Sequence, residues 1–244
     1  MSGHSKWSSI KRQKGVTDAK RGQLFTKLTR EIIIAVREGG NNPDGNFRLR
    51  LAVQRARDNN MPLDNIERAI KRGSGELEGV VLVELTFEGY GPGGAAILVN
   101  ALTDNRNRTL QEVRNIFSRG GGNLGESGCV AWLFESRGVI TVKADNMDAE
   151  ELALQAIDAG AEDVKVADDF VEIYTNPEEL VSVRGALEQK EIALASTELA
   201  MLPKTVVELE EKAATQILRL LDKLEDLDEV QHVATNADFP DSVL

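Results

Sequence analysis

The sequence predicts an α+β protein with an N-terminal three-helix domain, a middle α+β domain and a ferredoxin-like α+β domain inserted into the middle one. Three observations support this prediction. Apolar residues recur every three to four positions as far as Gly73, which is the period of helices. Beyond Gly79 the pattern changes to short β-branched runs separated by helical segments. Residues 137–202 then hold a complete β-α-β-β-α-β order, typical of the ferredoxin-like arrangement.

The N-terminal domain, residues 1–76, is predicted to begin with a flexible arm and to continue as three helices. Proline is favoured in the first turn of a helix and glycine just past its end, and Pro62 and Gly73 have these places around the third apolar stripe. The second helix carries arginines on both flanks of its apolar stripe, at positions 48, 50, 55 and 57. We therefore expect a small basic domain with helices over residues 17–38, 46–59 and 62–73.

The middle domain is predicted to combine residues 80–135 with residues 204–244. Two apolar runs around Gly89–Gly94 predict a β-hairpin, and CVAWLF (129–134) is predicted to be a further strand. Thr109 and Glu112 have the spacing of a capping box, which predicts a helix. The C-terminal segment supplies a leucine-rich helix and a short strand, and these would complete the domain. The alternative for that helix is a dimer seam.

The inserted domain, residues 137–202, is predicted from its own order of elements. VITV is a strand, a helix begins at Asp148, and two strands form a hairpin across residues 168–169. Asn176 is predicted to cap a second helix with Pro177 as its first residue, and IALASTEL to be the last strand. Because the helix and strand that the middle domain lacks come only after this unit, the unit is predicted to be inserted into the middle domain.

Charge is distributed unevenly along the chain. The whole protein has a net charge of −11 at pH 7, but residues 1–75 contain 16 lysines and arginines against 7 aspartates and glutamates. This asymmetry indicates that one part binds a polyanion and another avoids it, with chance clustering of solvated charges as the alternative. Trp7 lies among the basic residues and would either stack on a base or pack the arm onto its domain. The nucleic-acid-binding residues predicted in this region are Lys6, Trp7, Lys11, Arg12, Lys14, Lys20 and Arg21.

Motifs typical of enzymes are incomplete. GYGPGG has the glycines of a dinucleotide fingerprint, but a strand follows it where a helix is required, so a hairpin turn is expected. GGGNLGES (120–127) has Glu126 where a P-loop needs lysine, and it could instead be a backbone surface close to RNA or DNA. Cys129 lies in an apolar run, and His4 and His232 have no partners at metal-ligand spacing. We expect no enzyme activity, catalytic residue, metal, cofactor or small-molecule substrate.

The segment TDNRNRT (103–109) is predicted to bind an anion. It places Arg106 and Arg108 at the start of a helix, where the helix dipole disfavours a cation by about 0.3–1 kcal/mol. Two guanidinium groups beside exposed helix N–H groups would instead suit phosphate. The alternative is that Arg106 pairs with Asp104 or with the acidic part of the chain.

Several segments together resemble the YebC/PmpR family of bacterial regulators over essentially the whole chain: GHSKW, DAKRGQLFTKLTREI, NFRLRLAVQRARDNNMP, EGYGPGG, LTDNRNRT and GGNLGESGCVAWLF. Ala234 departs from the pattern, since an aromatic residue is expected there. The resemblance implies three domains and a cytoplasmic, DNA-binding transcriptional regulator. Relatives are also described as ribosome-associated factors that relieve stalling on proline-rich peptides. This description implies ribosomal RNA, tRNA and basic ribosomal proteins as alternative partners.

The resemblance also implies the site residues. The family's basic N-terminal region corresponds to Lys6, Lys11, Arg12, Lys14, Lys20 and Arg21, and its conserved loop to Asn105, Arg106, Asn107 and Arg108. No apolar run is long enough for a transmembrane helix, so no membrane partner is expected. The sequence thus predicts a non-enzymatic regulator that binds nucleic acid, with DNA and ribosomal RNA both open as its target.

Overall fold

The structure is a computed structural model that describes residues 18–143, 148–167 and 170–243. The chain divides into two compact units. The smaller unit is Glu135–Leu202, and the larger unit comprises the chain on both sides of it. Each unit combines helices with a four-stranded sheet, which confirms the predicted α+β class. No helix in the described ranges has the length and apolar character needed to cross a lipid bilayer.

The N-terminal part of the larger unit contains the three predicted helices, α1 (Asp18–Gly39), α2 (Phe47–Asp58) and α3 (Leu63–Gly73). Asn46 joins the first two, because its side chain accepts the N–H of Leu49 at 3.0 Å and donates to the carbonyls of Ala35 and Gly40. Gly40 has φ 86°, a left-handed conformation that suits glycine at a helix end. Thr17, the predicted cap of the first helix, lies outside the described residues.

The apolar stripes of these helices meet in one core. Ile32, Leu49 and Ala52 are fully buried there, and Leu82 and Leu102 from the following part of the chain join the same cluster. Burial of each large apolar side chain contributes about 1.5–3 kcal/mol. The helices are therefore fixed against the segment that follows them by a shared core.

The predicted hairpin is confirmed by the antiparallel pairing of its two strands, β1 (Val83–Tyr90) and β2 (Ala96–Thr103). A short 3-10 turn, Pro92–Gly94, connects them, and Gly93 and Gly94 have φ of 75° and 78°. GYGPGG is thus a turn. After β2 come α4 (Arg106–Arg119) and β3 (Asn123–Leu124).

Two predictions in this region are wrong. The cap of α4 is Asn105, and Thr109 lies inside the helix, where its buried hydroxyl bonds to the Thr103 hydroxyl at 2.9 Å. The CVAWLF strand is also absent from the described structure, because Ala131–Leu133 forms a 3-10 turn and the next strand begins at Phe134. Trp132 is consequently 65% exposed.

The smaller unit has the predicted element order, with strands and helices at β4 (Phe134–Lys143), α5 (Ala149–Asp158), β5 (Asp163–Ala167), β6 (Phe170–Thr175), α6 (Leu180–Gln189) and β7 (Leu194–Pro203). Its sheet order, β5-β6-β4-β7, is that of a split βαβ, ferredoxin-like fold. One detail differs: Pro177 opens a 3-10 turn, and α6 begins at Leu180 because the chain tightens before entering the helix. The domain boundaries inferred from sequence stay a prediction.

The C-terminal segment completes the sheet of the larger unit. Its elements are β8 (Val207–Glu208), α7 (Glu211–Glu225), β9 (Val230–Thr235) and β10 (Ala237–Asp238). Strand β9 pairs antiparallel with β2, which gives the order β3-β1-β2-β9. Helix α7 buries Ile217, Leu221 and Leu224 in the core against this sheet. The leucine-rich helix is therefore a core element, as the first interpretation predicted.

Candidate nucleic-acid interface

The structure describes some of the predicted binding residues and not others. Lys6, Trp7, Lys11, Arg12 and Lys14 lie outside the described residues, so their roles stay a prediction. Lys20 and Arg21 are exposed in the first turn of α1. The second group, Asn105–Arg108, is exposed at the start of α4.

The start of α4 is an open, positively charged helix end. The Asn105 side-chain oxygen accepts the N–H of Arg108 at 3.1 Å, and the first turn contains no acidic residue. The preceding N–H groups, of Arg106 and Asn107, find no acceptor within the described part of the chain. Free N–H groups and the helix dipole together favour an anion at this position.

Arg108 is part of an internal charge network. Its guanidinium donates to Glu229 at 2.7 Å and to Asp104 at 3.0 Å. The hydrogen bond with Glu229 raises the pKa of Arg108 above its ordinary value. Glu229 is buried, and its carboxylate also lies 3.6 Å from the guanidinium of Arg30 on α1. The network therefore links the start of α4 to helix α1 of the N-terminal part.

Arg106 differs from Arg108 in its surroundings. Its side chain is exposed and makes no ion pair with any residue in the described ranges. The sequence leaves open a pair between Arg106 and Asp104, but the partner of that carboxylate is Arg108. The guanidinium of Arg106 is thus available to a ligand, whereas that of Arg108 makes two ion pairs within the chain, and its predicted role in binding stays a prediction.

We predict different stability effects for these two neighbouring arginines. Arg108→Ala should lower the melting temperature by several degrees, because it leaves the buried carboxylate of Glu229 without its shortest ion pair. Arg106→Ala should leave the melting temperature almost unchanged. Thermal denaturation followed by circular dichroism measures both. Equal shifts for the two variants would contradict the assignment.

Basic residues of the N-terminal helices also fall into two groups. Arg48 and Arg55, on one flank of α2, are neutralised by ion pairs: Arg48 lies 3.2 Å from Glu84 and Arg55 lies 2.9 Å from Glu31. Other side chains are exposed and make no ion pair with a described residue: Lys20, Arg21, Arg57, Lys71 and Arg72. The uncompensated charge therefore lies on α1, α3 and the last turn of α2.

Glu88 organises the loop before β4, a role that the sequence analysis missed. Its buried carboxylate accepts the N–H groups of Gly128 at 2.6 Å, Val130 at 2.8 Å and Ala131 at 2.7 Å. Burial by itself would raise the pKa of this carboxyl, but the three N–H donors outweigh burial and leave the pKa below its usual value. Glu88 is thus a charged anchor for residues 125–131.

The two glycine-rich segments, 89–94 and 120–128, pack against each other. Strand β3 pairs with the end of β1, and Tyr90 faces Asn123. A Cβ atom on Gly89 would lie 2.6 Å from the Asn123 carbonyl oxygen, and one on Gly122 would lie 2.6 Å from the Tyr90 carbonyl oxygen. Glycine is therefore required at these two positions by close backbone approach. These two segments resemble phosphate-binding loops in sequence, but their glycines allow the two backbones to pack closely.

Groups that could support other chemistry are also placed by the structure. Burial and the nearby carboxylates of Glu88 and Glu126 raise the pKa of the Cys129 thiol, so it is a weak nucleophile at neutral pH. No group of three or more histidine, cysteine, aspartate or glutamate side chains within the described ranges could hold a metal ion. The open end of α4 and the exposed cations of the N-terminal helices are thus the strongest candidate site.

Comparison with known proteins gives the family. A model described as "TACO1/YebC protein N-terminal domain" matches residues 5–76, and one described as "TACO1/YebC second and third domain" matches residues 82–237. The chain belongs to the TACO1/YebC family. This confirms the resemblance noted from the sequence motifs.

Relatives in the TACO1/YebC family are similar over their whole length. A protein of Dehalococcoides mccartyi, named "Probable transcriptional regulatory protein DET0444", is 58% identical over 100% of this chain and 97% of its own. A relative of Desulfosudis oleivorans with the name "Probable transcriptional regulatory protein" is 56% identical, covering 100% and 99%. The crystal structure of the conserved hypothetical protein Aq1575 from Aquifex aeolicus has a TM-score of 0.86 and 50% identity, covering 93% of this chain and 94% of that one.

Proposed function

We propose that this protein is a cytoplasmic, non-enzymatic regulator of transcription that binds DNA through its N-terminal basic region and the start of α4. The observation that supports this proposal is a group of unpaired cations. Exposed side chains without ion pairs to described residues lie on the N-terminal helices, at Lys20, Arg21, Arg57, Lys71 and Arg72, and Arg106 adds another at the start of α4. Arg114 and Arg119 are also exposed along α4, and Arg219 is exposed on α7. The names of the relatives, which denote probable transcriptional regulators, support the same role.

Phosphate is the ligand that this arrangement suits. The free N–H groups at the start of α4 can bind phosphate oxygens, and the Arg106 guanidinium can add a charge-assisted hydrogen bond. Such contacts position a protein on a nucleic acid but carry little sequence information. Base readout must therefore come from other side chains.

Binding of a labelled promoter fragment tests the proposal. Fluorescence anisotropy should show an affinity that falls linearly with the logarithm of salt concentration, with a slope of about −0.9 per phosphate neutralised on duplex DNA. A scrambled duplex of the same length serves as the specificity control. The absence of measurable binding to either duplex at about 0.05 M salt, where screening is weak, would refute the proposal.

Arg106→Ala should weaken this binding and make the salt slope shallower by about 0.7–0.9, the value expected for loss of one phosphate contact. The matched control is Arg219→Ala, which removes another exposed arginine from helix α7. The control should bind as the unchanged protein does. An unchanged slope for Arg106→Ala would show that the start of α4 does not contact phosphate.

A second candidate target is the ribosome, which the charge of the smaller unit favours. Residues 135–202 contain 16 aspartates and glutamates against 5 lysines and arginines. A uniform DNA duplex repels such a unit, whereas ribosomal RNA beside basic ribosomal proteins could accommodate both signs of charge. Competition at about 0.15 M salt separates the targets, since weak contacts are then largely screened. Displacement of promoter DNA by ribosomes at much lower concentration than by scrambled DNA would favour the ribosome.

A further inference from the structure

A pocket of about 340 Å³ lies between α1, α3 and the chain segments next to the sheet. We propose that this pocket receives one unstacked base of a nucleic-acid strand, while Arg72 and Arg106 bind the adjoining phosphates. The inference rests on the proposed function and adds to it a site that reads a base. The residues that carry the argument line the pocket or lie at its edge: Phe25, Asn65, Arg72, Leu82 and Asp104.

Two helices form facing walls of the pocket. Thr26, Arg30 and Ile33 of α1 line it, with the three- and four-residue spacings that place side chains on one face of a helix. Asn65 and Arg72 of α3 line it from the other side, two turns apart on one face. Both walls belong to rigid elements with a common core, so the pocket is formed before a ligand arrives.

The bottom of the pocket is apolar. Ile33, Met61 and Leu82 are buried there, with exposed fractions of 5%, 6% and 6%. Phe25 is half-buried and adds an aromatic ring to the lining. Apolar and aromatic surfaces of this kind stack on the flat face of a base, at about 1–3 kcal/mol per base.

Asn65 supplies hydrogen bonds at the wall. Its side chain is half-buried, and its amide has no partner within the described part of the chain. A free amide offers one acceptor and two donors and can make a bidentate pair with adenine. An apolar side chain from a protein partner would leave this amide unsatisfied, which favours a base as the occupant.

Charge at the edge of the pocket favours a phosphate backbone. The guanidinium of Arg72 is exposed and makes no ion pair with a described residue. Asp104 also lines the pocket, but its carboxylate is neutralised by Arg108 at 3.0 Å. Arg106 lies two positions after Asp104 in the chain, and its guanidinium also makes no ion pair with a described residue. The proposal therefore assigns one phosphate contact to Arg72 in the lining and one to Arg106, which follows the lining residue Asp104 in the chain.

The test uses a single-stranded oligonucleotide that carries 2-aminopurine, a fluorescent adenine analogue, at one internal position. On binding, the rate of collisional quenching by acrylamide should fall about threefold or more, because a pocket covers about 70–90% of a ligand's surface. Asn65→Leu, which keeps the side-chain size, should weaken binding roughly tenfold and restore quenching. Thr26→Phe, which fills the pocket, should do the same. Asn115→Leu, the same change at an exposed position of α4, is the control.

The outcomes separate this inference from the proposed function. Oligonucleotide binding with undiminished quenching, or equal behaviour of Asn65→Leu and Asn115→Leu, overturns the base pocket and leaves phosphate binding intact. If the protein binds neither single strands nor duplexes, both the base pocket and the proposed function are refuted. Displacement of the oligonucleotide by an equimolar amount of adenosine monophosphate would also overturn the inference, because the pocket would then be a site for free nucleotides.

Discussion

Replacing Glu88 with alanine is expected to lower the free energy of unfolding of the larger unit by about 2–4 kcal/mol, since three backbone N–H groups lose their acceptor. Glu88 is 4% exposed, and its three bonds of 2.6–2.8 Å hold the loop from Gly128 to Ala131. Alanine supplies no replacement acceptor, so the loop must open to water or remain unsatisfied.

Urea denaturation followed by circular dichroism measures the loss. Glu126→Ala is the matched control, because Glu126 belongs to the same loop but is exposed. Glu88→Gln should fall between the two, since its amide retains one acceptor and places donors against N–H groups. A loss for Glu88→Ala no larger than that of the control would refute the anchoring role.

The pH dependence of stability follows from the same carboxyl group. Its pKa is lower in the folded protein than in the unfolded chain, so its charged form contributes stability above the unfolded value of about 4.3. That contribution is lost as pH falls through the folded pKa. The stability difference between the unchanged protein and Glu88→Gln should therefore be constant from about pH 7 to pH 5 and shrink below about pH 4.

Reversing the charges of Lys11, Arg12 and Lys14 to glutamate should produce the largest loss of nucleic-acid affinity. If each residue neutralises one phosphate, the log–log salt slope becomes shallower by about 2–3, from a contribution of about 0.7–0.9 per contact. The reversed charges also repel the polyanion, so affinity at low salt should fall by orders of magnitude. Anisotropy titrations at several salt concentrations measure both quantities.

A reversal of equal size elsewhere controls for net charge. Lys212, Arg219 and Lys223 are exposed on α7, and changing all three to glutamate alters the total charge by the same amount. If both triple variants lose affinity equally, long-range charge and not the basic N-terminal segment governs binding. An unchanged slope for the variant of Lys11, Arg12 and Lys14 would refute that segment as a contact region.

Local rules predicted much of the fold from sequence. Helix ends could be predicted because caps depend on neighbouring backbone groups. The ends marked by Asn46, Pro62 and Gly73 lie within a residue of their predicted places. The sequence also predicts that the C-terminal strand completes the middle domain, because that domain otherwise lacks a strand. The pairing of β9 with β2 in the sheet of the larger unit agrees with this prediction. Thr109 misled the prediction of the α4 start, because Asn105 offers an equally good cap earlier in the chain.

Contacts between distant segments could not be predicted in the same way. Glu88 alternates with Phe87 along β1, which is the pattern of a solvent-facing residue. It is buried because an irregular loop some 40 positions away folds over it. The pair of Arg108 and Glu229, separated by 121 positions, likewise depends on the arrangement of α4 beside the start of β9. The sequence placed Arg106 and Arg108 correctly at a helix start but did not distinguish their surroundings.

The ends of the inserted unit have a consequence for the order of folding. Strands β4 and β7, by which the chain enters and leaves this unit, are neighbours in one sheet, and the Lys204 N–H donates to the Leu133 carbonyl at 2.8 Å. A ferredoxin-like unit that folds first would therefore bring Phe134 and Pro203 together and remove a loop-closure cost of about 4 kcal/mol from the assembly of the surrounding sheet. Early folding of the insertion would then accelerate the pairing of β9 with β2.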